Sequence, residues 1–468
     1  MFCSSCGNTL EAGARFCKNC GSPVSTVPAA GANLRPAEDA GVPMQTFAAE
    51  PRQTQQYTQP PHTAPPPQKQ KGGGGKKVLI IISIVVLIAL LLGSIVAGHY
   101  MGLYTLPLLP DRGARTSSND TGGGRDRNRG DDDDSNGASR TTEVVEVSFF
   151  DEGISDAELA EMVENGEIPS NVTHLFLDYN DLSDISPLRA LTDLEYLSIG
   201  YNFISDVTPL SGLSKLMILN LDGNHVSDIS PLSELSSLRS LSFFDNDVRD
   251  ISILRGLTGL ERLDLGRNDV SDISALSTLT NLKHLGIAGL PVTNISYLGE
   301  LTWLESLSLS STYIEDISPI SRLTTLRALR MGYCGVSDIS LLSRLTNLEQ
   351  LYITGNGISD ISPLYGLTSL RYLYLEDNDI TDVTPLSRLY DLASLSLSGN
   401  RISDISPLGG LYNLEALSVS HNDIRDVSPL GGLAELEYLN LVGNPLTMEA
   451  ISDLILALPD CEILHLVP

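Results

Sequence analysis

LSLSGNRISDISPLGGLYNLEA, from Leu395 to Ala416, is one copy of a pattern that recurs every 22 residues through positions 172–445. The copies keep register on one column: Asn180, Asn202, Asn224, Asn246 and Asn268, then Leu290, Thr312 and Cys334, then Asn356, Asn378, Asn400, Asn422 and Asn444. Leu395 and Leu397 alternate with Ser396 and Ser398, the period of two expected of a half-buried strand. Asn400 follows where the chain must turn inward. Its carboxamide both donates and accepts, so it can satisfy the backbone of a buried turn. Ile402, Ile405, Leu408, Leu411 and Leu414 then come every third residue, which suits a 3₁₀-like or irregular return arm better than an α-helix. Ser406 and Pro407 predict an N-cap followed by proline at the first helical position. One copy has too little core to fold alone and must cover its apolar edges with its neighbours.

A fixed period of this length with L-x-x-L-x-L-x-x-N is the leucine-rich repeat pattern. The expected fold class is an α/β repeat solenoid, with a parallel concave sheet and a 3₁₀ or irregular convex side. Thirteen strands at about 4.8 Å spacing give a sheet roughly 60 Å long. The repeat length and the recurrent D-I-S-P-L, at Asp184–Leu188, Asp228–Leu232, Asp360–Leu364 and Asp404–Leu408, resemble the internalin-like class of leucine-rich repeat proteins. That resemblance implies a horseshoe or arc whose ligands lie on its variable positions. Internalins usually add an immunoglobulin-like module and a wall-sorting signal, and neither is in this sequence, so anchoring is expected at the N-terminal side.

Charge is unevenly spread. Residues 1–140 hold 14 Lys and Arg against 11 Asp and Glu, net +3, and the remaining 16 against 47 leave net −31 on residues 141–468. A repeat domain this acidic repels nucleic acid and anionic lipid. Much of its charge is one Asp per repeat, a column from Asp184 to Asp426 broken only by Asn294. Stacked carboxylates could share a cation, but calcium wants six to eight oxygens, and local backbone hydrogen bonding by each Asp is the preferred reading.

The N-terminal third is modular. Cys3, Cys6, Cys17 and Cys20 form two Cys-x-x-Cys knuckles within residues 1–22, a donor set for structural Zn2+. The segment is similar to the minimal zinc ribbons found at the N-terminus of many bacterial membrane proteins. A disulfide pair is the alternative, if this end faces an oxidising compartment. Residues 23–77 read as a Pro- and Gln-rich disordered linker. Val78–Gly98 gives 21 residues without a charge, enough at 1.5 Å each to cross a bilayer core of about 30 Å. Lys69, Lys71, Lys76 and Lys77 precede it and only Arg112 and Arg115 follow closely. The positive-inside rule then puts the ribbon in the cytoplasm and the repeats outside. So long a preceding segment argues for an uncleaved anchor over a signal peptide. Residues 99–142 read as a flexible stalk.

Residues 143–171 and 446–468 are the expected caps. Val144–Phe150 predicts a strand, and Ser155 with Glu158 a capping box opening a helix from about Asp156 to Asn165. Met448–Leu458 predicts a helix and Glu462–Leu466 a last strand. Cys334 and Cys461 are expected as buried free thiols.

Residues between the strand leucines escape the core and face the ligand side. The candidate ligand residues are Arg330, Tyr333, Tyr352, Tyr372, Tyr374 and Glu376, because Tyr and Arg are the types that make interface hot spots. A second aromatic group comprises Phe176, Tyr179, Tyr196, Tyr201 and Phe244. The plain alternative is that tyrosines simply suit strands. The interrupted registers, which also lack Pro nearby at Ile253, Ala275, Tyr297 and Leu341, predict slight local loosening. No phosphate loop, G-x-S-x-G or H-E-x-x-H occurs, so an enzyme such as a hydrolase has no support. The expected activity is recognition of a protein or glycan, as adhesin or sensor. The alternative is a receptor whose ribbon contacts a cytoplasmic partner.

Overall fold

The computed structural model describes residues 144–465. The ribbon, the linker, the apolar segment 78–98 and the stalk lie outside the described residues, as does the end of the last cap. Among the described residues no helix is long and apolar enough to cross a membrane.

Fifteen three-residue strands form one parallel sheet in chain order. Thirteen follow the repeat, from β2 (His174–Phe176) to β14 (Tyr438–Asn440), and start 22 residues apart. The caps add β1 (Glu146–Ser148) and β15 (Glu462–Leu464), so the sheet is two strands longer than the repeat alone predicts. Pairing is in step: Gln350, Leu351 and Tyr352 lie opposite Tyr372, Leu373 and Tyr374. The strand leucines and the every-third apolar residues of the arms join one core running from Leu159 to Leu458. Twelve 3₁₀ turns stand on the return side of the described residues.

Two polar columns stitch the coils. In the buried column, Asn224 Nδ2 donates to the carbonyls of Leu221 at 2.9 Å and Asp222 at 3.2 Å, and to Ile199 of the previous coil at 3.0 Å. Its Oδ1 accepts from Ile204 N at 3.0 Å. One side chain thus closes its own turn and ties it to the coil before. Asn180 does the same for the N-terminal cap, donating to Phe149 O and accepting from Ile154 N. In the exposed column, Asp404 Oδ1 accepts the amide of Ser406 at 2.8 Å. The bond recurs in all twelve arms, and Asn294 makes it where Asp is missing. Ser406 is therefore not the cap. The cap position is Ile405, which has no side-chain bond, and Asp404 satisfies the first amide of the turn. The four arms without Pro, at Ile253, Ala275, Tyr297 and Leu341, still form 3₁₀ turns, because this acceptor is present in each.

The caps close both ends. Helix α1 (Asp156–Glu164) carries both bonds of the capping box between Ser155 and Glu158. The Asp156 carboxylate also accepts from the amides of Ser183 at 2.7 Å and Asp184 at 2.9 Å. Helix α2 (Met448–Ala457) is capped by Thr447, whose side chain accepts from Ala450 N, and precedes β15.

The interrupted registers are looser. Thr312 Oγ1 and Cys334 Sγ each still donate to the carbonyl 25 residues back, at 3.2 Å, whereas Leu290 has no polar group to offer. The bond joining successive return arms runs from Phe203 N to Leu182 O at 2.8 Å and onward to Asp269 N and Val248 O. Pro291 has no N–H to continue it, and Glu315 N reaches Thr293 O only at 3.5 Å. The ladder returns at Asp379 N and Ile358 O, 2.8 Å. Cys334 is a buried free thiol, and burial pushes its pKa up to about 11. Cys461 is free but only half-buried, because it sits at the margin between α2 and β15.

Candidate ligand face

The strands β9 (Ala328–Arg330), β10 (Gln350–Tyr352), β11 (Tyr372–Tyr374) and β12 (Ser394–Ser396) place Arg330, Tyr352, Tyr374 and Ser396 side by side. The rings of Tyr352 and Tyr374 stack with centroids 4.6 Å apart and planes 6° from parallel. That separation matches the spacing of neighbouring strands, so the backbone register alone aligns them. The guanidinium carbon of Arg330 lies 4.7 Å from the Tyr352 ring centroid. Tyr374 shares a hydrogen bond between its hydroxyl and Ser394 Oγ at 3.2 Å. Burial pushes the Tyr352 phenol up, with Arg330 acting against it. Tyr372 and Glu376 are half-buried; Arg371 lies 5.9 Å from the Tyr372 ring, and Glu376 Oε2 accepts from Thr354 Oγ1 at 2.7 Å.

Two expected residues sit differently. Tyr333 is not on the strand. It follows β9 in a turn with φ +57° and is 61% exposed. All thirteen registers have a left-handed residue in this column, and Gly occupies it at 223, 289, 355, 399 and 443. Those glycines are the sequence signal for the turn, and the period of two ends before it. Gly355 also makes room for the Tyr333 ring, which would meet a Cβ there at 2.3 Å. Arg330 is on the sheet face but only 7% exposed, its long side chain folded against Tyr352 and Gln350 instead of standing free.

The second aromatic group also stacks. Tyr179 and Tyr201 lie 4.5 Å apart at 8°, and Phe176 packs on Tyr196 at 4.8 Å. Tyr179 and Tyr201 belong to the left-handed turn column, not to strands.

A set of buried carboxylates beside this group goes beyond the sequence expectations. Asp178 Oδ1 accepts from Ser198 Oγ at 2.7 Å and Gly200 N at 2.9 Å. Asp222 Oδ1 accepts from Ser242 Oγ and, at 2.8 Å, from Phe244 N. Burial and the charge of Asp222 push the Asp264 carboxyl up to about 7. For Asp178 and Asp264 the glycine one repeat later leaves the space: a Cβ at Gly286 would lie 2.6 Å from the Asp264 carboxylate, and one at Gly200 3.0 Å from Asp178 Oδ1. Asp followed by Gly 22 residues on is a pattern the sequence does carry.

Models of leucine-rich repeats match residues 170–212, 236–278, 324–366 and 368–410, and another leucine-rich repeat model matches 391–446. An internalin from Listeria monocytogenes is similar in structure at 35% identity and TM-score 0.58; the match covers 62% of this chain and 85% of that one. The chain belongs to the internalin family of leucine-rich repeat proteins. A leucine-rich repeat protein of Leptospira interrogans shares the fold at 23% identity and TM-score 0.60, covering 69% of this chain and 90% of its own. A TDR receptor shares it at 24% identity and TM-score 0.53, covering 63% and 55%. No curated protein matches the chain. A zinc-ribbon domain model matches residues 2–24 of this internalin-like protein. Cys3, Cys6, Cys17 and Cys20 are a closed thiolate set that fits a structural zinc ion, and they lie outside the described residues.

Proposed function

We propose that this internalin-like protein recognises a protein ligand on its sheet face, through Arg330, Tyr352, Tyr372, Tyr374, Glu376 and the adjoining Tyr333. The carrying observation is the pre-aligned stack of Tyr352 on Tyr374 beside Arg330. Rigid aromatic side chains offer contact area at little entropic cost. The net charge of −31 on residues 141–468 disfavours nucleic acid as the partner.

The apolar run 78–98 and the lysines before it support a single-pass anchor, with the zinc ribbon in the cytoplasm and the repeats outside. The ribbon match favours a second reading, in which a cytoplasmic partner bound to residues 1–22 is informed of ligand occupancy. Photo-crosslinking in cells tests the first reading. A benzophenone residue at position 352 or 374 of the full chain should give one discrete protein adduct, and the same group at Tyr412, in the arm outside the sheet, should not. Adducts from Tyr412 alone contradict it. Protease treatment of intact cells should remove residues 141–468 and spare the ribbon; the reverse pattern overturns the topology.

A further inference from the structure

Arg330 is a buried cation that pairs with no carboxylate among the described residues; it lies over the Tyr352 ring and interacts with its hydroxyl. Its Nη2 donates to Gln350 Oε1 across a long 3.4 Å, and its Nη1 is buried with no hydrogen-bond partner among the described residues. On the neighbouring strand β8 (Ser306–Ser308), Ser306 Oγ is also buried without a partner. Ser306 lies opposite Ala328, two residues before Arg330 on the same face. One strand further, burial and the charges of Arg262 and Lys283 hold the His284 imidazole down to about 4, so it is neutral at pH 7.

A buried guanidinium without a counter-charge destabilises a fold, and the face of Tyr352 offsets only part of that. Natural proteins break the rule of polar satisfaction mainly at functional sites. The guanidinium fork matches a carboxylate in two parallel bonds, and here Gln350 and Tyr352 already fix its plane.

We propose that Arg330, with Ser306, forms a carboxylate subsite on the sheet face, which takes an acidic side chain or the C-terminal carboxylate of the bound protein. The subsite rests on the reading that this face binds a protein. It supplies an orienting contact next to the Tyr352–Tyr374 stack: the carboxylate fixes register while the rings cover the ligand's apolar surface.

The full chain in detergent, with nitrogen-labelled arginine, is titrated at physiological ionic strength with three probes. N-acetyl-aspartate amide carries a side-chain carboxylate, N-acetyl-alanine a terminal one, and N-acetyl-asparagine amide none. The Arg330 side-chain resonance, assigned by its loss in Arg330→Gln, should shift saturably with one or both acids and not with the neutral probe. The acid that shifts it names the source of the carboxylate. Ser306→Ala should weaken that binding at least threefold. Arg330→Met should leave the melting temperature unchanged or raise it, since it removes an unmet charge. Failure of both acids to move the resonance overturns the subsite, and so does a large loss of stability in Arg330→Met. If an adduct-forming ligand depends on Tyr352 and Tyr374 but not on Arg330, the subsite fails and the sheet-face reading stands. If it depends on none of the three, that reading fails as well.

Discussion

Asn224 Oδ1 accepts the backbone N–H of Ile204, twenty residues earlier, at 3.0 Å. A single carboxamide thereby couples two successive coils across the stack. The buried column and the exposed Asp column look equally regular in sequence, but their energetics differ. Removing a buried carboxamide leaves its backbone partners unsatisfied without access to water. Removing an exposed cap lets water take its place.

Asn224→Ala is therefore expected to cost about 2–4 kcal/mol, from several unmet partners at roughly 1–3 kcal/mol each before relaxation. Asp404→Ala should cost far less. Denaturant titration of both variants checks the ranking, and equal losses contradict it.

Stability should pass through a maximum at mildly acidic pH. The Asp264 carboxyl is raised from 3.8 to about 7 by burial, then by Asp222. A raised carboxyl binds its proton more tightly folded than unfolded. Its contribution is full below about pH 3.8 and is lost as pH rises toward 7. The exposed column runs the other way. Hydrogen bonds from Thr208, Ser318 and Ser428 hold Asp206, Asp316 and Asp426 below the ordinary carboxylate value. Their contribution is present above about pH 3.8 and is lost as pH falls through the lowered values. The melting temperature should rise from pH 8 to pH 5 and fall below pH 4. Asp264→Asn should abolish most of the rise.

Amide exchange should be fastest where the arm ladder lapses. Ile314 N bonds Cys334 O at 3.2 Å and Glu315 N reaches its partner only at 3.5 Å, against 2.8 Å for Phe203 N. Local openings follow weak backbone bonding. Native-state exchange should therefore protect Phe203, His225 and Asp379 more than Ile314 and Glu315.

Chelation should separate the modules. A strong zinc chelator is expected to release one zinc ion per chain and to leave the melting of the repeat domain unchanged, because the core from Leu159 to Leu458 is built from the repeats and their caps. Zinc still released from a variant lacking these four cysteines, or a falling melting temperature, contradicts the assignment.

The fold is legible because one period of 22 sets strand, turn and arm together, and because Asp404-type residues and the Ser155–Glu158 box act locally. Long or branching interactions are less legible. Arg330 lies on the expected face, but alternation along a strand says nothing of a flexible side chain folding flat against Tyr352. Tyr333 departs from the strand face because the alternation stops at the left-handed turn, which its own column's glycines announce. Asp264 is buried by a relation between strands, with Gly286 leaving its space, and no reading along one copy reveals it.

The most direct test of the recognition surface compares two tyrosine pairs. Tyr352 and Tyr374 stack on the sheet, whereas Tyr390 and Tyr412 are exposed in the arms outside it. With the ligand identified by crosslinking, affinity of the full chain is measured for Tyr352→Ala with Tyr374→Ala and for Tyr390→Ala with Tyr412→Ala. The account predicts about a hundredfold loss for the first pair, as for two hot-spot residues, and less than about threefold for the second. Unchanged affinity in the first pair, or the larger loss in the second, would contradict it.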